Sequence, residues 1–383
     1  MTDLNLDLLG CKLRNPVIIA SSPLTEDLKG IIECFNNGAS AVITKSISKI
    51  NKGNPSEARR AYFDKEGLWA TSTYFRETLD LDSGCDIIAS ASSKIDIPII
   101  ASITGLDFEV EKWIGSCEKV ILAGAKMIQL DLFYLPQPIT NSTNLNKLKR
   151  LIKDLSQLIQ VPIIPKINIE IPAYLIKELF SESNIKCISF LDSIRVPSPI
   201  TKNLQSRYKM VRHLGMSSLF GSWQLPLTNH YAIILRKTTD YQLIGGGGIS
   251  NSCDILTLLM LGVNATQIAS TIIINGFGYI STLIKNLEED LIEEGFTSIH
   301  EIQNKITKSQ TIDIEQSHTV FIESYAIIDQ KRCSKCKKCI TLSFCRAIIE
   351  MNGVITINSE ICEGCGLCVS CCNENAIFVI ERD

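Results

Sequence analysis

Nine of the fifteen cysteines lie between Cys333 and Cys372, and six of the nine repeat one spacing: Cys333, Cys336 and Cys339, then Cys362, Cys365 and Cys368. Thiolates three residues apart on a tightly turning backbone can hold three corners of an iron–sulfur cubane, and a more distant cysteine supplies the fourth. Gly364 and Gly366 suit such turns. Two triplets imply two 4Fe–4S clusters and one-electron chemistry. The competing reading is a pair of zinc sites, but zinc ligands rarely come as three equally spaced cysteines. A secreted disulfide framework fits poorly, because the other six cysteines are scattered through a long chain able to build its own core.

The segment resembles the bacterial two-cluster ferredoxins, in which the fourth cysteine of each motif ligates the other cluster. The resemblance implies that Cys372 completes the first triplet and Cys345 the second. Five residues separate Cys339 from Cys345 where three are usual, and Arg346 and Asn373 stand where proline normally follows the fourth cysteine. Cys371 is surplus and is read as a buried thiol.

Upstream, apolar runs rich in β-branched residues alternate with helical patterns. The runs are Val17 to Ser21, Ala41 to Ser46, Pro98 to Ile103, Lys126 to Asp131, Val161 to Asn168, Cys187 to Asp192, Tyr241 to Gly247 and Ala265 to Ser270. Unbroken apolar runs of this length suit strands buried on both faces. Gly38, Gly124 and Gly262 each fall just before a strand, as expected of a glycine closing a helix. Eight βα units over residues 1–310 predict a TIM barrel, with a doubly wound open sheet as the alternative. A linker at 311–326 and a ferredoxin-like domain at 327–383 complete the expected organisation.

In a barrel, chemistry belongs at the C-terminal ends of the strands. Those ends carry Ala20-Ser21, Lys45, Asp131, Lys166, Asp192, the run Gly245 to Gly248, and Ala269-Ser270. Lys45 and Lys166 close otherwise apolar strands, where an anionic cofactor would offset their desolvation; a solvated strand-end lysine is the plain alternative. The glycine run after strand seven stands where barrels commonly bind phosphate. Asp192 is read either as a contact to ligand or as a helix cap.

The 383 residues carry a net charge of -3 with no basic stripe, which argues against a nucleic-acid partner. No apolar run approaches the roughly 18 residues of a membrane span, and acidic residues occupy the first positions where a signal peptide is basic. A cytoplasmic location is expected.

The barrel segments resemble the dihydroorotate dehydrogenase superfamily, including the FMN-binding half of dihydropyrimidine dehydrogenases. The carrying residues are Asn15-Pro16-Val17-Ile18-Ile19-Ala20-Ser21-Ser22-Pro23, Gly38 to Lys45, Pro165-Lys166, Gly247-Gly248-Ile249-Ser250, and Gly262 to Gln267. The resemblance implies FMN, with Ala20 and Ser21 along the ring, Lys45 and Lys166 against it, and Gly247, Gly248, Ala269 and Ser270 on the phosphate. Strand four departs from the family, where a motif of the type Asn-Leu-Ser-Cys-Pro-Asn supplies substrate amides and a proton-transfer cysteine. Here it reads Asp131-Leu132-Phe133-Tyr134-Leu135-Pro136-Gln137, so Tyr134 becomes the candidate for proton transfer, with Thr140, Ser142 and Thr143 as loop alternatives.

The expected activity is hydride transfer between flavin and a carbon of a small cyclic, pyrimidine-like substrate, a dehydrogenase acting on CH–CH groups, with the clusters wired to a partner. No G-x-G-x-x-G fingerprint is present, so the expected partner is an NAD(P)H-oxidising flavoprotein subunit or a ferredoxin, in a homo- or hetero-oligomer. Two rivals stand beside this. One is an electron-transfer subunit whose barrel has lost catalysis and serves as a docking scaffold. The other, a flavin-free phosphate-binding aldolase, leaves the cysteines unexplained.

Overall fold

The computed structural model describes residues 2–48, 61–63, 69–72, 78–105, 107–135, 142–208, 215–308, 322–342 and 345–382. The chain divides into two units, Met1–Gln310 and Thr311–Asp383.

In the first unit eight parallel strands close on themselves: β1 (Val17–Ile19), β2 (Ala41–Ile43), β3 (Ile99–Ile103), β4 (Met127–Asp131), β5 (Ile163–Ile167), β6 (Cys187–Phe190), β7 (Gln242–Gly246) and β8 (Ala265–Ile268). Each pairs with the next, and β8 returns to β1 with Thr266 opposite Val17. The sheet is therefore a TIM barrel, and the open-sheet alternative is set aside. Every strand residue from β1 to β6 is buried, as the apolar runs require. On β4, Asp131 turns into the barrel mouth, so by strand alternation Gln129 and Met127 point inward while Ile128 and Leu130 face the helices. Each such fully buried isoleucine or leucine contributes roughly 1.5–3 kcal/mol relative to exposure.

The helices around the barrel include α1 (Leu28–Asn36), α2 (Leu81–Ser92), α3 (Val110–Leu122), α4 (Ser142–Leu158), α5 (Ile176–Leu179), α6 (Leu225–Thr238), α7 (Ser252–Met260) and, after β8, α8 (Tyr279–Glu293). Gly38, Gly124 and Gly262 have φ of 99°, 115° and 84°, the left-handed geometry expected after a helix. Helix α7 begins in a capping box: Asn251 accepts from Asp254 N, and the Asp254 carboxylate accepts from Asn251 N.

Sequence reading missed a four-stranded antiparallel sheet built from two insertions. Ala61–Phe63 and Ala70–Ser72 follow β2, and Ile194–Pro197 and Met216–Phe220 follow β6. The insertions join where Ser218, Leu219 and Phe220 pair with Ser72, Thr71 and Ala70.

The second unit contains two antiparallel ribbons. Ser324–Ile328 pairs with Ile377–Glu381, and Ile348–Met351 pairs with Val354–Ile357 across the tight turn Asn352-Gly353. The first strand begins inside the segment expected to be linker, because it supplies the hydrogen-bonding partner for the C-terminal strand. Ala326, Ile348, Ile355 and Ile377 form a small core with Cys339 and Cys368. Among the described residues no helix is long and apolar enough to cross a membrane.

Candidate functional site

The strand ends of the barrel surround a cavity of about 330 Å³, within the usual size range of small-molecule sites. Ala20 and Ser21 after β1, Lys45 after β2, Lys166 on β5 and Asp192 after β6 all border it. So do Gly247 and Gly248 after β7, and Ala269 and Ser270 after β8. Residues from six strand ends are thus brought to one place. The side chain of Tyr134 lies outside the described residues, as do Thr140 and the side chain of Ser142, while Thr143 is exposed on the first turn of α4.

Two buried cations and a buried carboxyl share the cavity wall; Lys45, Lys166 and Asp131 are 6%, 3% and 3% exposed. Burial pulls the Lys45 ammonium below its ordinary range, against the opposing pull of Asp131, Asp192 and Glu26. Burial also acts on Lys166, but Asp192 and Asp131 outweigh it and hold that lysine above its ordinary range. Lys166 Nζ donates a short hydrogen bond to Asp192 Oδ2, and Asp192 Oδ1 accepts from Ser193 N at 2.6 Å. Asp192 is therefore an ion-pair partner of the strand-five lysine and not the cap of a long helix.

Asp131 belongs to a chain of hydroxyls that the sequence did not reveal. Ser46 Oγ donates to Asp131 Oδ2 at 2.6 Å and lies 3.1 Å from Ser21 Oγ and 3.2 Å from Ser102 Oγ. Burial raises the Asp131 carboxyl above its ordinary range; Lys166 opposes this and Asp192 adds to it. The result is a buried carboxyl, hydrogen-bonded through Ser46 to the hydroxyls of Ser21 and Ser102, whose charged form burial disfavours.

The loop after β7 approaches α6 too closely for a side chain. Gly248 has φ of 87°, and a Cβ there would stand 2.2 Å from Leu225 N. Bare backbone is what an anion cradle requires. Among the described residues two buried polar atoms at the cavity, Gln267 Oε1 and Ser218 Oγ, have no hydrogen-bond partner, although Gln267 Nε2 donates to Leu191 O at 3.2 Å. Such atoms are costly unless a ligand or water satisfies them.

The inserted sheet contributes Phe63, Ser72, Ser218 and Phe220 to the cavity. Arg207 Nη1 donates to Tyr62 OH at 3.2 Å, tying the second insertion to the first. No short motif marks this wall, because its strands are brief and pair across a long stretch of sequence.

In the second unit, Cys333, Cys336 and Cys339 border one cavity with Cys372, and Cys345 borders another with Cys362, Cys365 and Cys368. Cys371 borders neither and is half-buried, not the buried thiol expected, because it ends a one-turn helix near the surface; its thiol donates to Cys368 O at 3.2 Å. The first cavity measures about 20 Å³ and the second about 470 Å³. Among the described residues no three His, Cys, Asp or Glu side chains converge tightly enough to hold a single metal ion. Backbone amides of Ala326 and Ala376 donate to the sulfurs of Cys362 and Cys372 at 3.3 Å each.

Comparison with known proteins agrees with this barrel. The profile of the family described as dihydroorotate dehydrogenase matches residues 3–291. The catalytic subunit of dihydroorotate dehydrogenase B (NAD(+)) from Thermoplasma acidophilum is 22% identical over 311 residues, covering 79% of this chain and 98% of that protein. The Pyrococcus horikoshii protein of the same name is 24% identical over 325 residues, covering 78% and 96%. Dihydroorotate dehydrogenase A (fumarate) from Lactococcus lactis is 22% identical over 316 residues, covering 79% and 99%. With a matching profile over most of its length and the barrel that profile implies, this chain belongs to the dihydroorotate dehydrogenase family of oxidoreductases.

Proposed function

We propose that the chain is an FMN- and iron–sulfur-dependent dehydrogenase acting on a CH–CH bond of a small cyclic substrate of the pyrimidine type, with two 4Fe–4S clusters relaying electrons to a partner. The observation that carries the flavin reading is the convergence of Lys45 and Lys166, both buried, with the bare backbone of Gly247 and Gly248 around one cavity. The residues fit the cofactor. The glycine loop and the Ala269-Ser270 backbone would hold its phosphate, and the two lysines would face its ring. Gln267 Oε1 would gain the partner it lacks.

Bound FMN would supply hydride transfer at N5 and the change from two-electron to one-electron chemistry. The chain's own residues do the rest. Lys45 and Lys166 would hold the ring and would offset negative charge gained on its reduction. The inserted sheet lines the cavity with Phe63 and Phe220 and offers the Ser218 hydroxyl to a ligand. Ser46, held by Asp131, can pass a proton between the cavity and a buried carboxyl, a role assigned by sequence to Tyr134.

The cluster reading rests on the partition of eight thiols, four around each of two cavities, in the crossed pairing of two-cluster ferredoxins. A single zinc ion would draw four donors to a common point about 2.3 Å from each sulfur. Thiols spread around a cavity suit a cubane better.

The experiment is anaerobic. The protein is reduced, mixed in turn with orotate, uracil, thymine and unrelated enones, and followed by flavin absorbance. Rapid reoxidation by a pyrimidine supports the proposal and names the substrate. A flavin that no compound reoxidises points instead to the docking-scaffold alternative, and absence of flavin sinks the FMN reading of the cavity.

A further inference from the structure

The two cysteine triplets share a backbone conformation and differ in what hangs from it. Cys333-Ser334-Lys335-Cys336-Lys337-Lys338-Cys339 aligns position by position with Cys362-Glu363-Gly364-Cys365-Gly366-Leu367-Cys368. In the second triplet Gly364 and Gly366 have φ of 66° and 73°; in the first, Lys335 and Lys337 hold the same left-handed region, with φ of 58° and 64°. Residues with a Cβ are disfavoured there and glycine is not. Turn chemistry alone therefore favours glycine at both positions, and the chain carries lysine against that preference. Forming the loop does not explain those cations.

Their placement is lopsided as well. Lys331, Arg332, Lys335, Lys337 and Lys338 are all exposed, and they are five of the seven basic residues between 322 and 382. Arg332 lies 3.6 Å from Asp329, Lys337 lies 2.7 Å from Glu350, and Glu374 stands at the edge of the same cavity. Lys331, Lys335 and Lys338 make no ion pair among the described residues. Around the second triplet the exposed charges are mixed, Glu360 and Glu363 with Arg346 at the edge of its cavity and Arg382, whose Nη2 donates to Cys362 O at 3.2 Å. Seven acidic residues balance the seven basic ones over the same stretch, so the asymmetry lies in position and not in net charge. Cys336 is itself exposed amid the lysines, so the first four-cysteine site reaches the surface within this basic loop.

We infer that the loop Lys331–Lys338 is the docking face for a small acidic one-electron carrier protein of the ferredoxin or flavodoxin kind, which exchanges electrons with the cluster held by Cys333, Cys336, Cys339 and Cys372. The inference rests on the iron–sulfur reading above. In each encounter one electron crosses; one partner is oxidised by one and the other reduced by one, and no bond forms. A basic loop steers an acidic carrier to the first site, while the mixed charges around the second triplet offer it no comparable attraction.

The test uses the full chain, purified anaerobically, with iron quantified and the clusters recorded by EPR. It is titrated with an acidic plant-type 2Fe–2S ferredoxin at rising ionic strength. Binding is expected to weaken steeply with salt. Joint Lys331→Glu, Lys335→Glu and Lys338→Glu substitution is expected to weaken it about tenfold or more, and Glu360→Lys with Glu363→Lys to leave it no weaker. Lys335→Gly with Lys337→Gly relieves the backbone, so that variant should unfold at no lower a temperature yet bind the ferredoxin less tightly. A merely structural role does not produce that split. Undiminished binding in the lysine variants, or no ferredoxin binding at low salt by a chain with iron in both sites, overturns the docking face. A chain that binds ferredoxin through the loop but holds no iron there overturns the cluster reading and leaves the face standing.

Discussion

Ser46 and Asp131 meet across the barrel mouth, one from the end of β2 and the other from the end of β4, with Ser46 Oγ donating to Asp131 Oδ2 at 2.6 Å. The contact puts a hydroxyl of the cavity wall in direct communication with a carboxyl that is 3% exposed.

That carboxyl has a signature in stability against pH. Its unfolded value is near 3.8 and its folded value is higher, because burial disfavours the charge. The neutral form fits the fold. Its contribution is therefore full below the unfolded value and is lost as pH rises through the folded one. Asp131→Asn removes this slope. In urea unfolding from about pH 4 to about pH 8, the variant should gain on the wild type as pH rises, and a constant difference would count against a raised carboxyl. The same variant should lose proton exchange with substrate while still binding flavin.

Lys166→Met leaves Asp192 without its cation. The expected loss is roughly 2 kcal/mol, less than for a fully buried pair because the Asp192 side chain is 36% exposed. Thermal unfolding of Lys166→Met beside the double variant with Asp192→Asn decides it: the second change should restore part of the loss. If it restores nothing, the pair is not coupled.

Lys45 behaves in the opposite way. Burial depresses its pKa, so the flavin-free fold carries that ammonium at a cost. Lys45→Met should unfold at the same or a higher temperature without flavin, yet bind FMN about tenfold more weakly, from loss of one charged contact. Fluorescence titration of the flavin measures the second quantity. Equal affinity would remove Lys45 from the cofactor site.

At Gly248 a methyl group would meet Leu225 N at 2.2 Å in a backbone with φ of 87°. Gly248→Ala should cost about 2 kcal/mol or more through strain and displacement of α6, and release FMN. Gly215, which has open space around its Cα, is the control, and its alanine variant should be near neutral.

Removing single thiols tests the crossed pairing. Cys372→Ser should lose the iron of the first site and spare the second, Cys345→Ser should do the reverse, and Cys371→Ser should spare both. Iron analysis with EPR reads all three, and loss of a whole cluster in Cys371→Ser would reassign the fourth ligand.

The barrel was legible because its strands are buried β-branched runs, which sequence displays directly. Each of the eight starts within a residue or two of the expected position. Several end earlier, because Ser21, Lys45-Ser46 and Asp192 turn toward the cavity instead of continuing the ladder. Lys45, Lys166 and the glycine loop were readable from their place at strand ends. The partnership of Ser46 with Asp131 was not, since nothing local links residues on different strands. The inserted sheet was hidden for the same reason: Ala70–Ser72 is three residues long and takes its neighbour from Met216–Phe220, far away in the chain.

That inserted sheet makes the wall of the cavity a composite. Ser72 comes from one insertion and Ser218 from the other, and the two are register partners in a single ladder. Neither insertion can be transplanted into a related barrel by itself, because each would arrive with half of its hydrogen bonds unmet. Grafting or diversifying this wall must exchange both segments as a matched set, and drift in one constrains what the other can become.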